Sequence, residues 1–411
     1  MEVPKRFWHS VYLVYRIAYL SNFSHEKLEK THDVNQHPDT VDNAFSQLIL
    51  LYLLNSNKLR QTEIRELRQC IKYWIPLVHF QLHANEKTKY VFNYLSDQAP
   101  RAYLSPQDTT FMHNASEVIY INLSELASYI NTTLKDNAKY YSEEEEHNLN
   151  SVLKYHILNL LTQNPLRSSV RYADEGQVNV VFGITSAHFF LSNAKHFKET
   201  LALDIDISLQ NSPQLLASMS NDREVHLMSK IHEQRFNAEI SKTYTTQIVN
   251  RSELGFCLRW QNHPPKHLRT GEFILVQEID NKLWTGALIR WMKHNQDQSI
   301  DFGIELLSAK MCPVAIYAPK QNSNPIFHPA ILLLNQADQY SLILPGAQIF
   351  HENQNLSLRF GNLEIKIFLE KGIILTQSCA RFSFDLLERS KQKLLDQYFE
   401  QQMDTTATQD F

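Results

Sequence analysis

The pattern of apolar and polar positions changes character near Pro165. Before this residue, apolar side chains recur at helical spacing, as at Ile64, Leu67 and Ile71, and this spacing predicts amphipathic helices. Later in the same part, acidic residues follow Ser142, which suits the first turn of a helix because carboxylates favour the positive end of the helix dipole. The pattern therefore predicts an α-helical N-terminal domain.

After Pro165, short segments rich in valine, isoleucine and aromatic residues alternate with polar turns, which is typical of strands. The first segment is QVNVVFGI, and the polar stretch at about 192–240 then reads as an insertion or linker. Six strand-like segments follow from Thr243, and their spacing predicts a small antiparallel barrel: TYTTQIV, GFCLRW, EFILVQEI, WTGALIRWM, IDFGIELL and PVAIYA. Seven more predict a second β-rich unit: AILLLN, YSLILP, AQIF, LSLRFG, LEIKIFL, GIILTQSC and RFSFDLL.

The expected fold class is α+β, with an α-helical domain, an antiparallel β-barrel and a second β-rich unit. Glycine supports this division, because all nine glycines lie at or after Gly176, where tight turns and bulges are expected. The predicted boundaries are 1–165 for the helical domain, 166–311 for the barrel, 312–390 for the second β-rich domain and 391–411 for a C-terminal helix and tail.

Composition and charge exclude several classes of function. A net charge of −4 gives no broad basic field, so no nucleic-acid partner is expected. The four cysteines lie far apart without a C-x-x-C pair, which favours reduced thiols over a zinc site or disulfides. No apolar run of about 18 residues occurs and the N-terminus lacks a cleavage site, so we expect a cytoplasmic protein without a membrane span.

Known catalytic signatures are missing from the sequence. There is no phosphate-binding glycine loop, no H-E-x-x-H zinc motif and no G-x-S-x-G nucleophile turn. The GGDEF and EAL signatures of nucleotide cyclases and phosphodiesterases are missing as well. We therefore expect neither an enzyme nor a cofactor.

Two short motifs in the β-region carry the candidate site. Arg167 and Arg171 form an R-x-x-x-R before the first strand, and Asn250, Ser252 and Gly255 form an N-x-S-x-x-G turn between strands. Arginine can bind phosphate or the O6/N7 edge of guanine through two parallel hydrogen bonds. Short polar groups can hydrogen-bond a guanine edge, and glycine permits a tight turn and a close approach. Together the motifs favour a receptor for a guanine nucleotide.

The sequence resembles PilZ domains, in which an R-x-x-x-R arm and a D/N-x-S-x-x-G turn bind cyclic di-GMP. GFCLRW, LRTGEFILVQE, LWTGALIRWMK and SIDFGIELL follow the turn in the order of the later PilZ strands. The likeness covers roughly 167–183 and 243–310, and 79 positions separate Arg171 from Asn250, which an insertion after the first strand explains. The resemblance implies that Arg167, Arg171, Asn250, Ser252 and Gly255 bind the nucleotide.

On this resemblance, the expected function is that of a cyclic di-GMP receptor or adaptor without catalytic activity. It would couple the nucleotide level to surface behaviour, such as motility, pili or biofilm, through an unidentified protein partner. The alternative is a PilZ-like interaction scaffold that does not bind nucleotide. For Arg259 two interpretations remain, a secondary contact to the ligand or an exposed cation. The side chains of Trp260, Trp284 and Trp291 are expected to pack in the barrel.

Overall fold

The structure is a computed structural model, in which the chain divides into two compact units, Met1–Ser168 and Ser169–Phe411. The domain boundaries expected from the sequence stay a prediction. The structure describes residues 4–27, 40–54, 58–103, 117–135, 138–162, 171–201, 238–261, 263–281, 283–319, 325–335, 338–346 and 349–407.

The N-terminal unit is largely helical, as the sequence predicts, and also contains four strands that the sequence pattern did not reveal. In chain order its elements are α1 (Phe7–Leu20), α2 (Val41–Leu53), α3 (Gln61–Trp74), β1 (His79–Gln81), β2 (Thr88–Asn93), β3 (Arg101–Ala102), β4 (Val118–Asn122), α4 (Ser124–Thr132), α5 (Glu143–Asn148) and α6 (Ser151–Thr162). The strands form one sheet in the order β1-β4-β2-β3.

The predicted apolar stripe of α3 supplies much of the core of this unit. Leu67 and Ile71 are buried in it, and the buried indole of Trp74 donates a hydrogen bond to Glu145 at 2.6 Å. The hydroxyl of Ser142 accepts a hydrogen bond from the backbone N–H of Glu145 at 3.1 Å and so caps α5. Glu145 is fully buried, but its hydrogen bonds offset the cost of removing a carboxylate from water.

The second unit begins with a six-stranded antiparallel barrel, which we call the first barrel. Its strands and helices are β5 (Tyr172–Ala173), β6 (Gln177–Phe182), α7 (Ile184–Leu191), α8 (Phe197–Thr200), β7 (Tyr244–Ser252), β8 (Gly255–Trp260), β9 (Phe273–Glu278), β10 (Thr285–His294) and β11 (Ile300–Ser308). The barrel order is β7-β6-β9-β10-β11-β8, closed by pairing of β7 with β8, and β5 pairs with β7 outside the ring. Val180, Leu258 and Phe302 point into its core.

A second closed barrel of six strands follows. It comprises β12 (Met311–Tyr317), β13 (His328–Leu334), β14 (Tyr340–Pro345), β15 (Asn355–Phe360), β16 (Leu363–Leu375), β17 (Cys379–Leu386) and, after these strands, the helix α9 (Gln392–Ala407). The strand order is β12-β13-β14-β17-β16-β15. The fold class predicted from the sequence, α+β with two β-rich units, is confirmed.

Three details of the strand prediction were wrong. PVAIYA lies in β12 and so belongs to the second barrel rather than ending the first series. LEIKIFL and GIILTQSC were read as separate strands, but 363–375 form one long strand. AQIF was read as a strand, yet 349–350 are not in one, and 347–348 lie outside the described residues.

The two barrels pack against each other through a shared apolar cluster. Leu275 and Leu288 of the first barrel pack in this cluster against Ile331 and Leu333 of the second barrel. Helix α7 contributes side chains to the same cluster. Polar contacts cross the same junction, where the Thr376 hydroxyl donates to the carbonyl of Gly271 at 2.6 Å and the Ser378 hydroxyl to Glu272 at 2.6 Å. The two barrels therefore form one packed unit.

Candidate functional site

The N-x-S-x-x-G motif forms the hairpin between β7 and β8. Ser252 lies opposite Gly255, so only Glu253 and Leu254 form the turn. The hydroxyl of Ser252 donates a hydrogen bond to the carbonyl of Gly255 at 3.2 Å, which fixes the first residue pair of the hairpin. The motif thus provides a short, rigid connection at the rim of the first barrel.

Gly255 is required by the neighbouring strand β11. A Cβ atom at this position would lie 2.0 Å from the carbonyl oxygen of Ile304, well inside van der Waals contact. Strand β11 pairs with β8 here, with Glu305 opposite Gly255. The close approach expected at this glycine is therefore made by a strand of the barrel itself.

The strands β7, β8 and β11 carry a row of small or polar residues on the side that points away from the barrel core. Asn250 lies opposite Cys257, and Cys257 lies opposite Gly303. Their neighbours Phe256 and Leu258 point inward to the core, as expected when side chains alternate along a strand. We call the surface of Asn250, Ser252, Cys257 and Gly303 the outer face.

Asn250 is half-buried on the outer face, and its side-chain amide makes no hydrogen bond to any residue that the structure describes. An amide offers two donors and an acceptor, which is the set that a guanine edge can use. Its backbone is held in the β7–β8 ladder beside a register shift between Ile248 and Asn250. Asn250 therefore combines a fixed backbone with an available polar group.

Arg171, the last residue of the predicted arginine arm, is followed by the short strand β5, which pairs with this hairpin. Tyr172 lies opposite Arg251, and Ala173 lies opposite Asn250. Arg171, the residue before β5, is exposed and makes no ion pair with a described carboxylate. Arg167, the other predicted arm residue, lies outside the described residues. The structure thus brings Arg171 to the same edge as the N-x-S-x-x-G hairpin.

Positive charge surrounds the centre of the outer face. Burial raises the pKa of the Cys257 thiol, and the carboxylate of Asp301 acts in the same direction. Three cations near the thiol act in the opposite direction: Arg171, Arg259 and Lys293. Arg259 is paired with Asp301, whereas Arg171 is an exposed cation of this face that can attract an anionic ligand.

Two arginines beside the motif are already paired with carboxylates. Arg259 donates two hydrogen bonds to Asp301, from Nε at 2.7 Å and from Nη2 at 3.0 Å. Burial alone would raise the pKa of Asp301, but the hydrogen bonds to it outweigh that effect and hold the pKa below its usual range. Arg251 bonds to Asp174 and, at 2.6 Å, to Glu278. Arg259 is therefore paired with a carboxylate. The sequence had suggested either a ligand contact or an exposed cation, and neither interpretation included this pair.

Trp291 is a feature of the outer face that the sequence did not reveal. It lies opposite Gly303, and a Cβ atom on Gly303 would be 2.0 Å from the indole nitrogen, so the ring lies directly against that glycine. Trp260 packs in the core of the first barrel, as predicted, whereas Trp284 packs against the junction of the two barrels. The half-buried Trp291 belongs to neither described core cluster, so its predicted packing in the barrel was wrong. The isolated glycine within β11 was the signal for this close approach.

Other classes of site receive little support in the part of the chain that the structure describes. No group of three or more His, Cys, Asp or Glu side chains there could hold a metal ion. None of the helices within the described ranges has both the length and the apolar character needed to cross a membrane.

Comparison with protein families gives two matches that together span most of the chain. The family described as the N-terminal domain of the cyclic-di-GMP receptor FimW matches residues 1–86. The family described as the middle PilZ domain of the same receptor matches residues 90–223 and 207–313. The outer face and the β7–β8 hairpin lie within the second match.

Among curated proteins, the chain is similar to the cyclic-di-GMP receptor FimW of Pseudomonas aeruginosa. The two are 21% identical over 422 residues, which cover 93% of this chain and 68% of that protein.

Among solved structures, the chain is similar to the K. pneumonia MrkH–c-di-GMP complex at 10% identity and a TM-score of 0.22, over 41% of this chain and 86% of that one. A second structure of MrkH, described as a c-di-GMP-dependent transcription regulatory factor, gives 12% identity and a TM-score of 0.20, over 41% of this chain and 82% of that one. These TM-scores are too low to carry an argument about the present chain.

Proposed function

The chain belongs to the family of the cyclic-di-GMP receptor FimW, and from that premise we propose that it binds cyclic di-GMP on the outer face of its first barrel. The observation that supports the proposal is the pairing of β5 with Asn250 and Arg251, because Arg171 directly precedes β5 and so lies beside the hairpin. An arm held away from the hairpin would instead have favoured a scaffold that does not bind nucleotide.

The chemistry of the outer face suits this ligand. Cyclic di-GMP carries two phosphates and two guanines, so its receptor needs cations, groups that hydrogen-bond a base, and a flat apolar surface. Arg171 supplies an exposed guanidinium that makes no ion pair with a described carboxylate, and the amide of Asn250 supplies donors and an acceptor. The indole of Trp291 offers a ring on which a base can stack. Ser252 and Gly255 maintain the hairpin that positions Asn250.

We further propose that the protein acts as an adaptor without catalytic activity. Nucleotide binding would fix the segment around Arg171 against the hairpin, and a partner protein would recognise this bound form. The output would be surface behaviour such as motility, pili or biofilm formation. Arg167 is included in this proposal as a second arm residue that contacts the nucleotide.

Isothermal titration of the full chain with cyclic di-GMP tests the binding site. We expect Arg171→Ala and Asn250→Ala each to weaken binding by about tenfold or more, because each removes a charged or bidentate contact worth about 1.5–3 kcal/mol. Arg389→Ala is the matched control, since this arginine is 86% exposed and lies on the second barrel.

Two results would overturn the proposal. The first is the lack of any heat of binding at micromolar concentrations of folded protein. The second is binding whose affinity is unchanged in both Arg171→Ala and Asn250→Ala. If no heat of binding is observed, the result favours the alternative function, an interaction scaffold that does not bind nucleotide.

A further inference from the structure

A second concave surface lies on the second barrel. It is a groove of about 830 Å³ bounded by the ends of β13, β14 and β17 and by one side of α9. Its apolar part includes Tyr340, Phe384 and Phe399. We call this surface the C-terminal groove. It lies beyond residue 313, where the family matches end.

The rim of the C-terminal groove is acidic. Five carboxylate side chains line it: Asp338, Glu370, Asp385, Asp396 and Glu400. None of the described residues that line the groove is a lysine, arginine or histidine. Like charges held this close together repel one another, and a positively charged occupant would relieve that repulsion.

Helix periodicity explains why α9 contributes to this rim. Gln392, Asp396, Phe399 and Glu400 follow one another at intervals of four, three and one residues, so they lie on one side of the helix. Phe399 is 3% exposed and anchors α9 on the barrel, while Glu400 is exposed beside it. The same stripe that attaches the helix thus also presents its carboxylates to the groove.

Asp385 pairs with Arg389 at 3.6 Å and Asp396 is held by hydrogen bonds, while the other carboxylates of the rim are exposed to solvent. Asp396 accepts hydrogen bonds from the hydroxyl of Tyr340 at 3.0 Å and from Gln392 at 2.8 Å, which fixes its position. Glu370 and Glu400 make no ion pair with any residue in the described ranges. The groove therefore offers one fixed carboxylate and further acidic groups that are exposed to solvent.

The chemistry of the groove selects among possible occupants. A second copy bringing the same groove in a symmetric pair would place carboxylates against carboxylates, which charge repulsion disfavours. A metal ion has no cluster of three or more ligands among the described residues. The apolar floor of aromatic rings needs an occupant with apolar side chains, and the acidic rim needs one with cations.

We propose that the C-terminal groove binds a positively charged, partly apolar segment of a partner protein, whose lysines or arginines pair with Glu370 and Glu400. Apolar side chains of the same segment would cover Tyr340 and Phe384. The proposal rests on the second barrel alone and does not depend on nucleotide binding by the first.

Fluorescence anisotropy with the full chain and three labelled peptides of equal length tests this proposal. One peptide alternates arginine with leucine, the second arginine with serine, and the third glutamate with leucine. We expect the arginine–leucine peptide to bind at least about tenfold more tightly than either of the others. Glu370→Gln combined with Glu400→Gln should weaken its binding by about tenfold and reduce the salt dependence of that binding.

The matched control combines Glu86→Gln with Asp280→Asn, because it removes the same charge from exposed positions outside the groove. This control should bind the arginine–leucine peptide like the unmodified chain. Equal weakening by the control and the groove variant would overturn the proposal, since it would show attraction to net charge alone. Equal binding of the arginine–serine peptide would also overturn it, because the apolar floor would then contribute nothing.

Titration of the groove variant with cyclic di-GMP separates this proposal from the previous one. We expect its nucleotide affinity to be unchanged, since the substitutions lie on the second barrel. Peptide binding that persists in Arg171→Ala would show that the groove functions when the nucleotide site does not.

Discussion

The two barrels share an architecture but present opposite chemistry to solvent. Both are closed rings of six antiparallel strands with aliphatic and aromatic cores. The first carries cations near Cys257 on its outer face, whereas the second lines its groove with five carboxylates. The inward residues determine that a barrel forms, and the outward residues determine what it can bind. Four substitutions or conditions test this division, and they follow in order of expected effect.

Glycine substitution should distinguish the barrels most strongly. We expect Gly255→Ala to lower the free energy of unfolding by about 3 kcal/mol or more, because the new Cβ meets the carbonyl of Ile304 at 2.0 Å. Gly361→Ala in the second barrel should cost only about 1 kcal/mol, since its positive φ of 53° is strained but nothing lies within 4 Å. Urea unfolding measures both. Equal losses would show that strand packing does not require glycine at 255.

The junction of the barrels should respond to acid through His188. Burial lowers the pKa of His188 to about 4, so between that pH and its usual 6.5 the unfolded chain binds a proton that the folded chain does not. The free energy of unfolding is therefore unaffected by His188 above pH 6.5. As the pH drops from 6.5 toward 4, protonation of His188 in the unfolded chain lowers this free energy by about 3 kcal/mol. Urea unfolding at several pH values measures the slope, and His188→Gln should flatten it. An unchanged slope in that variant would assign the loss to other groups.

Trp291 should matter for the ligand more than for the fold. We expect Trp291→Ala to weaken cyclic di-GMP binding by about tenfold, because stacking of a base on an aromatic ring contributes about 1–3 kcal/mol. Trp284→Phe, at the junction, should leave affinity unchanged. Titration calorimetry compares the two. If both variants bind like the unmodified chain, Trp291 is not a stacking surface.

The smallest effect is expected at the Arg259–Asp301 pair. Asp301→Asn should lower the free energy of unfolding by about 1 kcal/mol, because it replaces a partly buried, doubly hydrogen-bonded ion pair. The same change adds one net positive charge to the outer face, so nucleotide affinity should rise rather than fall. Thermal unfolding and titration measure the two effects. A fall in affinity would mean that Asp301 positions a group that binds the ligand.

The strands of the first barrel could be predicted because valine alternates with a polar residue at the start of QVNVVFGI, and because EFILVQEI is a short apolar run with polar residues on both sides. Some short elements could not be predicted. Strand β5 has two residues, Tyr172 and Ala173, and no period can be read from two positions. Helix α7 (ITSAHFFL) is apolar on more than one side because it packs at the junction, so it lacks the stripe of a surface helix.

The position of Trp291 shows that a single β-bulge is enough to make a prediction based on alternating residues wrong. Counting by twos from Ala287 and Ile289, which point into the core, places Trp291 inside the barrel. A register shift between Ile289 and Trp291 inserts one extra residue and turns Trp291 to the outer face. Sequence patterns give the period of a strand but not the location of its bulges.

The shared cluster between the barrels has a thermodynamic consequence. Because Leu275, Leu288, Ile331 and Leu333 are covered only when both barrels are folded, neither barrel can unfold without exposing part of the other. A ligand that binds the outer face therefore adds its binding free energy to the stability of the second barrel as well. Occupancy of the outer face would in that way increase the resistance of the second barrel, which carries the C-terminal groove, to local opening.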